Sequence, residues 1–115
     1  MEEVVINVYA IVGDSYCVAA DDGEKVFEQI RQVIAQGKKA AISFLNVEML
    51  TSAFLNTSVG KLYGEFDEAP LKNGLSVRDI SNEDKELLKR VIDMAKAYYK
   101  DPDQMAKSIE RVLME

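Results

Sequence analysis

The stretch KAAISFLNVEMLTSAFLNTSVGKL, residues 39–62, decides the predicted fold because it joins a buried strand to an apolar helix. Lys39 to Phe44 is a short apolar run behind a lysine, which is typical of an interior strand in a sheet covered by helices. After a loop at Leu45 to Leu50, apolar residues recur at helical spacing from about Ser52 to Phe66. The order strand, loop, helix predicts one unit of an α/β fold.

The residues before this stretch predict a strand and a helix that precede it. Val4 to Ile11 is rich in β-branched and aromatic residues and predicts a first strand, which ends at the turn signal Gly13-Asp14. Asp21 with Glu24 has the pattern of a capping box, and helical periodicity then continues to Gly37. Strand, helix, strand predicts a right-handed crossover and a parallel pair of strands, unless the first strand runs in the opposite direction.

The residues after residue 66 predict a third strand and two further helices. Asp67 to Gly74 has the composition of a polar turn, and Leu75 to Ile80 alternates like a half-buried strand. Ser81 predicts the start of a long helix over 82–100, and Asp101-Pro102-Asp103 predicts another over 102–114. We therefore expect a single α/β domain over residues 1–115, in which helices pack on a small, mixed, mostly parallel sheet.

Composition excludes several classes of function. The 115 residues include one cysteine and no histidine, so a zinc or iron–sulfur site, a Ser-His-Asp triad and a Cys-His pair are not expected. A net charge of -6 disfavours binding to nucleic acid. No apolar run approaches the roughly 18 residues that span a bilayer. We expect a non-enzymatic, cytoplasmic protein without a cofactor or metal.

Thr51 and Ser52 lie between the interior strand and the helix, and two interpretations of them remain open. Serine and threonine are preferred at helix N-caps, where a hydroxyl stabilises the helix by about 1 kcal/mol without any regulation. Alternatively, one of them is phosphorylated, because the first turn of a helix offers free backbone N–H groups to a phosphate. Ser52 is our first candidate for phosphorylation and Thr51 the second.

Two segments resemble a known family: CVAADDGEKVF (17–27) and VEMLTSAFLNTSVGKLYGEF (47–66). They are similar to the STAS-like domain family of unknown function, a distant relative of the bacterial anti-sigma factor antagonists. In this resemblance Ser52 falls where the antagonists carry their phosphoserine. Thr51 stands where they have aspartate and Phe54 where they have glycine. The resemblance implies a serine kinase of the histidine-kinase-like ATPase superfamily as partner.

The expected function is protein binding in bacterial signalling, as a partner switch that phosphorylation of a serine controls. Two alternatives remain: a domain that binds a nucleotide or phosphate, and a structural subunit that forms a homodimer through PDQMAKSIERVLME (102–115). The expected partner-binding face lies around the start of the helix and comprises Asn46, Glu48, Thr51, Ser52, Phe54 and Asn56.

Overall fold

A computed structural model describes residues 2–100 of the chain, and its centre is a three-stranded parallel sheet. The strands are β1 (Glu3–Asn7), β3 (Lys39–Ser43) and β5 (Leu75–Arg78), in the order β1-β3-β5. Two further strands, β2 (Tyr16–Cys17) and β4 (Met49–Leu50), pair in parallel as a separate small sheet. The predicted α/β class and the three predicted strands are confirmed. Within residues 2–100 every strand pair is parallel, so the sheet is not mixed.

The described part of the chain also contains six α-helices. Their bounds are α1 (Val8–Val12), α2 (Ala20–Ala35), α3 (Ser52–Leu55), α4 (Leu62–Glu65), α5 (Glu68–Gly74) and α6 (Asn82–Lys100). A π-helical turn, Asn56–Gly60, connects α3 to α4. The long helix predicted from Ser52 is therefore present but widened in its middle. The helix predicted over 102–114 lies outside the described residues.

The first predicted strand is too long, because half of it forms α1. The side chain of Asn7 accepts a hydrogen bond of 2.9 Å from the backbone N–H of Ala10 and so caps this helix. Gly13, in the left-handed region at φ 79°, ends it. An apolar run such as VYAIV fits a buried strand and a buried helix turn equally well, and the cap decides between them.

Two other predicted boundaries are wrong in informative ways. Asp21 is not the N-cap of α2, because the helix begins at Ala20. Asp21 lies in its first turn, where the positive end of the helix dipole stabilises a carboxylate. The predicted turn after Asp67 is the helix α5. Pro70 lies within its first turn, where no backbone N–H is needed for an intrahelical bond. The predicted cap at Ser81 is present, since its hydroxyl accepts from the N–H of Asp84 at 3.2 Å.

The two faces of the three-stranded sheet differ. Ile6, Ile42 and Val77 stand in register and belong to the core with the apolar side of α2. Val5 points to the opposite face and is 52% exposed. On that face Glu3 and Arg78, from the two outer strands, form an ion pair. The hydrophobic core therefore lies on one side of the sheet, between the strands and the helices.

Gly23 sets how closely α2 approaches the helix that follows β4. A Cβ atom at this position would lie 2.8 Å from the carbonyl oxygen of Phe54 and 2.9 Å from Cβ of Thr57. The first of these atoms belongs to the backbone and cannot rotate away. Gly60, in the π-helical turn, differs: an added Cβ would meet its nearest side-chain atoms at 3.5 and 3.7 Å, which is ordinary contact.

Replacing Gly23 with alanine is expected to lower the free energy of unfolding by about 1–3 kcal/mol, because the new methyl group would push α2 away from Phe54. Chemical denaturation followed by circular dichroism measures this change. Gly60→Ala is the matched control and should be neutral or stabilising by about 1 kcal/mol, since alanine is the better helix former. Equal stability of Gly23→Ala and the wild type would contradict the close approach of these helices.

Candidate functional site

The short strands β2 and β4 present an apolar surface patch. Tyr16 pairs with Met49 in the register, and their side chains are 54% and 52% exposed. The next pair, Cys17 and Leu50, points inward and is buried. Val18 follows on the Tyr16 side of the strand and is also exposed. We call Tyr16, Val18 and Met49 the β2–β4 patch.

Backbone and side-chain hydrogen bonds hold the two segments that carry the β2–β4 patch. The N–H of Glu48 donates to the carbonyl oxygen of Ser15 at 2.8 Å. The Ser15 hydroxyl donates in turn to the Glu48 carboxylate at 3.2 Å. Asp14 accepts from the N–H of Tyr16 at 2.9 Å. Two-residue strands are weak alone, so these bonds supply much of what fixes the patch.

Thr51 joins the β2–β4 patch to the start of α3. Its hydroxyl oxygen accepts from the N–H of Phe54 at 3.2 Å, as an N-cap does, and its hydroxyl donates to the carbonyl oxygen of Val18 at 2.8 Å. Both uses of the hydroxyl are internal to the fold. Of the two candidate residues, Thr51 is therefore the structural cap.

Ser52 is the first residue of α3 and is exposed. Within residues 2–100 its hydroxyl forms no side-chain hydrogen bond, in contrast to that of Thr51. A phosphate on this oxygen would project into solvent beside the β2–β4 patch. The backbone N–H groups at the start of α3 would stabilise the negative charge of such a phosphate. The structure thus assigns the capping role to Thr51 and leaves the hydroxyl of Ser52 outside it.

The predicted partner-binding residues do not all reach the surface. Asn46, Glu48, Ser52 and Asn56 are exposed and Thr51 is half-buried. Phe54 is 0% exposed and belongs to the hydrophobic core, so the prediction that it contacts a partner is wrong. Phe54 is buried because α3 packs closely against α2 at this point.

Sequence reasoning missed Tyr16, Val18 and Met49. Each looks like an ordinary apolar residue in a segment too short for periodicity to indicate which side faces the core. Their exposure depends on the pairing of two segments that lie 33 residues apart in the chain, as the bond between Ser15 and Glu48 shows. No local signal reports such a pairing.

Acidic groups surround the β2–β4 patch. Asp14, Asp21 and Glu48 form no ion pair within residues 2–100. Beneath the patch, burial, together with the smaller effects of the Asp22 and Asp14 charges, raises the pKa of the Cys17 thiol to about 11. Cys17 therefore stays protonated at neutral pH and has the properties of a small buried hydrophobic residue, not of a nucleophile.

Two cavities lie away from Ser52. A cleft of about 550 Å³ between α4, α5 and α6 is lined by Tyr63, Phe66, Lys96 and Tyr99, among others. A second, of about 280 Å³, lies between the sheet and α6 and includes Ile42, Val77 and Leu88. Neither of these two cavities is lined by Thr51 or Ser52. They therefore give no support to the alternative that a small ligand binds at the start of α3.

Comparison with known protein families places this chain. A small parallel sheet, helices on one face and an exposed serine opening the helix after the central strand define an α/β domain of the STAS type. The sequence profile of the STAS-like domain of unknown function (DUF4325) matches residues 22–85, more than half of the chain. The chain belongs to this family, and the resemblance noted from its sequence is confirmed.

The other comparisons give no match. No curated protein and no solved structure is similar enough to this chain to be matched with significance. Among residues 2–100, no helix has the length and apolar character to cross a membrane. The same residues hold no group of three or more Cys, Asp or Glu side chains placed to bind a metal ion.

The different roles of Thr51 and Ser52 can be tested by their alanine variants. Thr51→Ala should lower the free energy of unfolding by about 1 kcal/mol, because it removes the cap of α3 and the bond to Val18. Ser52→Ala should change it by less than about 0.5 kcal/mol, as is usual for an exposed residue. Urea unfolding measures both.

Thr51→Ser is the control, since it keeps a hydroxyl at the same place and should retain most of the stability. A larger loss for Ser52→Ala than for Thr51→Ala would show that the cap has been assigned to the wrong residue.

Proposed function

We propose that this protein is a non-enzymatic protein-interaction module in bacterial signalling, and that its docking surface is the β2–β4 patch with the start of α3. Phosphorylation of Ser52 controls docking. The partner that phosphorylates it is a serine kinase of the histidine-kinase-like ATPase superfamily, as the resemblance to anti-sigma factor antagonists implies.

The observation that carries this proposal is the position of Ser52 beside the patch. Tyr16 and Met49 form an exposed apolar pair. Thr51, which precedes Ser52, forms a hydrogen bond to the carbonyl oxygen of Val18 in the patch. Exposed apolar groups that cluster, with polar residues around them, mark surfaces that bind other proteins. A free serine at the rim of such a surface is well placed to change what binds there.

The chemistry of phosphorylation supports a switch at this site. A phosphate adds about -1.5 to -2 charge units and three acceptor oxygens at neutral pH. At Ser52 this charge would stand near the apolar pair and the exposed carboxylate of Glu48. A change of that size alters the affinity of a docked protein without any movement of the fold.

Two experiments test the proposal together. The immobilised protein should capture a specific partner from a lysate of its own host, and Met49→Ser should lose that partner because it removes half of the apolar pair. With MgATP, the captured kinase should add a phosphate that mass spectrometry maps to Ser52, and Ser52→Ala should abolish it.

Met94→Ser is the matched control. Met94 lies on α6 and is 57% exposed, so its replacement makes the same chemical change on a different element of the fold. Capture of the same proteins by wild type, Met49→Ser and Met94→Ser alike would contradict a docking role for the patch. A phosphate on Thr51 or Thr57 in place of Ser52 would contradict the assigned switch residue.

A further inference from the structure

The charge distribution around the β2–β4 patch indicates which chemistry its partner carries. The two segments that build this surface, residues 13–24 and 45–56, contain five acidic side chains and no lysine or arginine: Asp14, Asp21, Asp22, Glu24 and Glu48. The whole chain has 14 basic residues, so this stretch of surface is depleted in them. The segments that carry the apolar pair Tyr16 and Met49 are therefore acidic.

Two lysines already pair with acidic residues of this set. Lys25 lies 3.5 Å from Asp22, and Lys61 is paired with Glu24. Asp14, Asp21 and Glu48 have no such partner in the described part of the chain. The carboxylate of Asp14 accepts a hydrogen bond from the N–H of Tyr16 in its own loop, and the carboxylate of Glu48 accepts one from the Ser15 hydroxyl of the neighbouring segment. Within residues 2–100, three exposed carboxylates are thus available to the basic groups of a partner.

We infer that the β2–β4 patch binds a basic amphipathic segment of its partner, with apolar side chains on Tyr16 and Met49 and lysine or arginine side chains toward Glu48, Asp14 and Asp21. This inference rests on the proposed function. Burial of Tyr16 and Met49 contributes affinity, and charge complementarity contributes orientation and speed of association.

The same charges determine the direction of the switch. A phosphate on Ser52 adds negative charge to a surface that is already acidic, so it tightens the docking of a basic partner. The same phosphate would weaken the docking of an acidic or purely apolar partner. Phosphorylation therefore strengthens the docking of this partner and does not release it.

Two synthetic helical peptides test the inference by fluorescence anisotropy. They share the same leucine positions and differ only in having lysine or glutamate at every polar position. The lysine peptide should bind about ten-fold more tightly than the glutamate peptide, a difference that corresponds to about 1.4 kcal/mol. Its binding should weaken as salt is added, because exposed charges are screened.

Variants locate the binding on the protein. Glu48→Lys should weaken binding of the lysine peptide about five-fold, as expected for about 1 kcal/mol lost at one contact in water. Ser52→Asp should tighten binding of the same peptide about two-fold. Glu48→Gln keeps the acceptor for Ser15 and should have a smaller effect than Glu48→Lys. Glu86→Lys, on exposed α6, makes the same change of net charge elsewhere and is the control.

The outcomes separate this inference from the proposed function. Equal binding of both peptides would contradict the inference that the partner presents a basic segment. Equal weakening of lysine-peptide binding by Glu48→Lys and Glu86→Lys would contradict it as well. If a partner captured from the lysate is lost with Met49→Ser yet binds Glu48→Lys as well as it binds the wild type, the docking surface stands and the inference fails. If Met49→Ser loses no partner, the proposed function fails.

Discussion

The hydroxyl group of Thr51 is the interaction on which the candidate site depends. It accepts from the backbone of Phe54 and donates to the backbone of Val18, so one side chain fixes the start of α3 and the end of β2 together. Strands of two residues contribute little stability by themselves. Through Thr51 the β2–β4 patch and Ser52 share one surface, which is what allows a charge on the serine to affect contacts at the patch.

The parts of the fold that the sequence predicts well are those with long periodic patterns or strong caps. The helices α2 and α6 and the strands β3 and β5 were recognisable from apolar spacing and from Ser81. The errors fall where a short apolar or polar segment fits two structures. Residues Val8–Val12 form a helix that Asn7 caps, and the helix Glu68–Gly74 accommodates Pro70 because this residue falls in its first turn.

The candidate site could be predicted only in part for a similar reason. Ser52 was found because its position in the chain, between a buried strand and a helix, is a local property. The burial of Phe54 and the exposure of Tyr16 and Met49 are not local: they follow from Gly23, which brings α2 against Phe54, and from the pairing of β2 with β4. Long-range contacts decide which apolar residues of a short segment remain on the surface.

Oxidation of methionine side chains, read by mass spectrometry, tests the central claim most directly. Met49 and Met94 are exposed to a similar extent in the free protein, so hydroxyl radicals should oxidise both at similar rates. When the captured partner is bound, Met49 should be protected several-fold while Met94 is not. Protection of Met94 alone, or a Met49 that resists oxidation in the free protein, would contradict the β2–β4 patch as the docking surface.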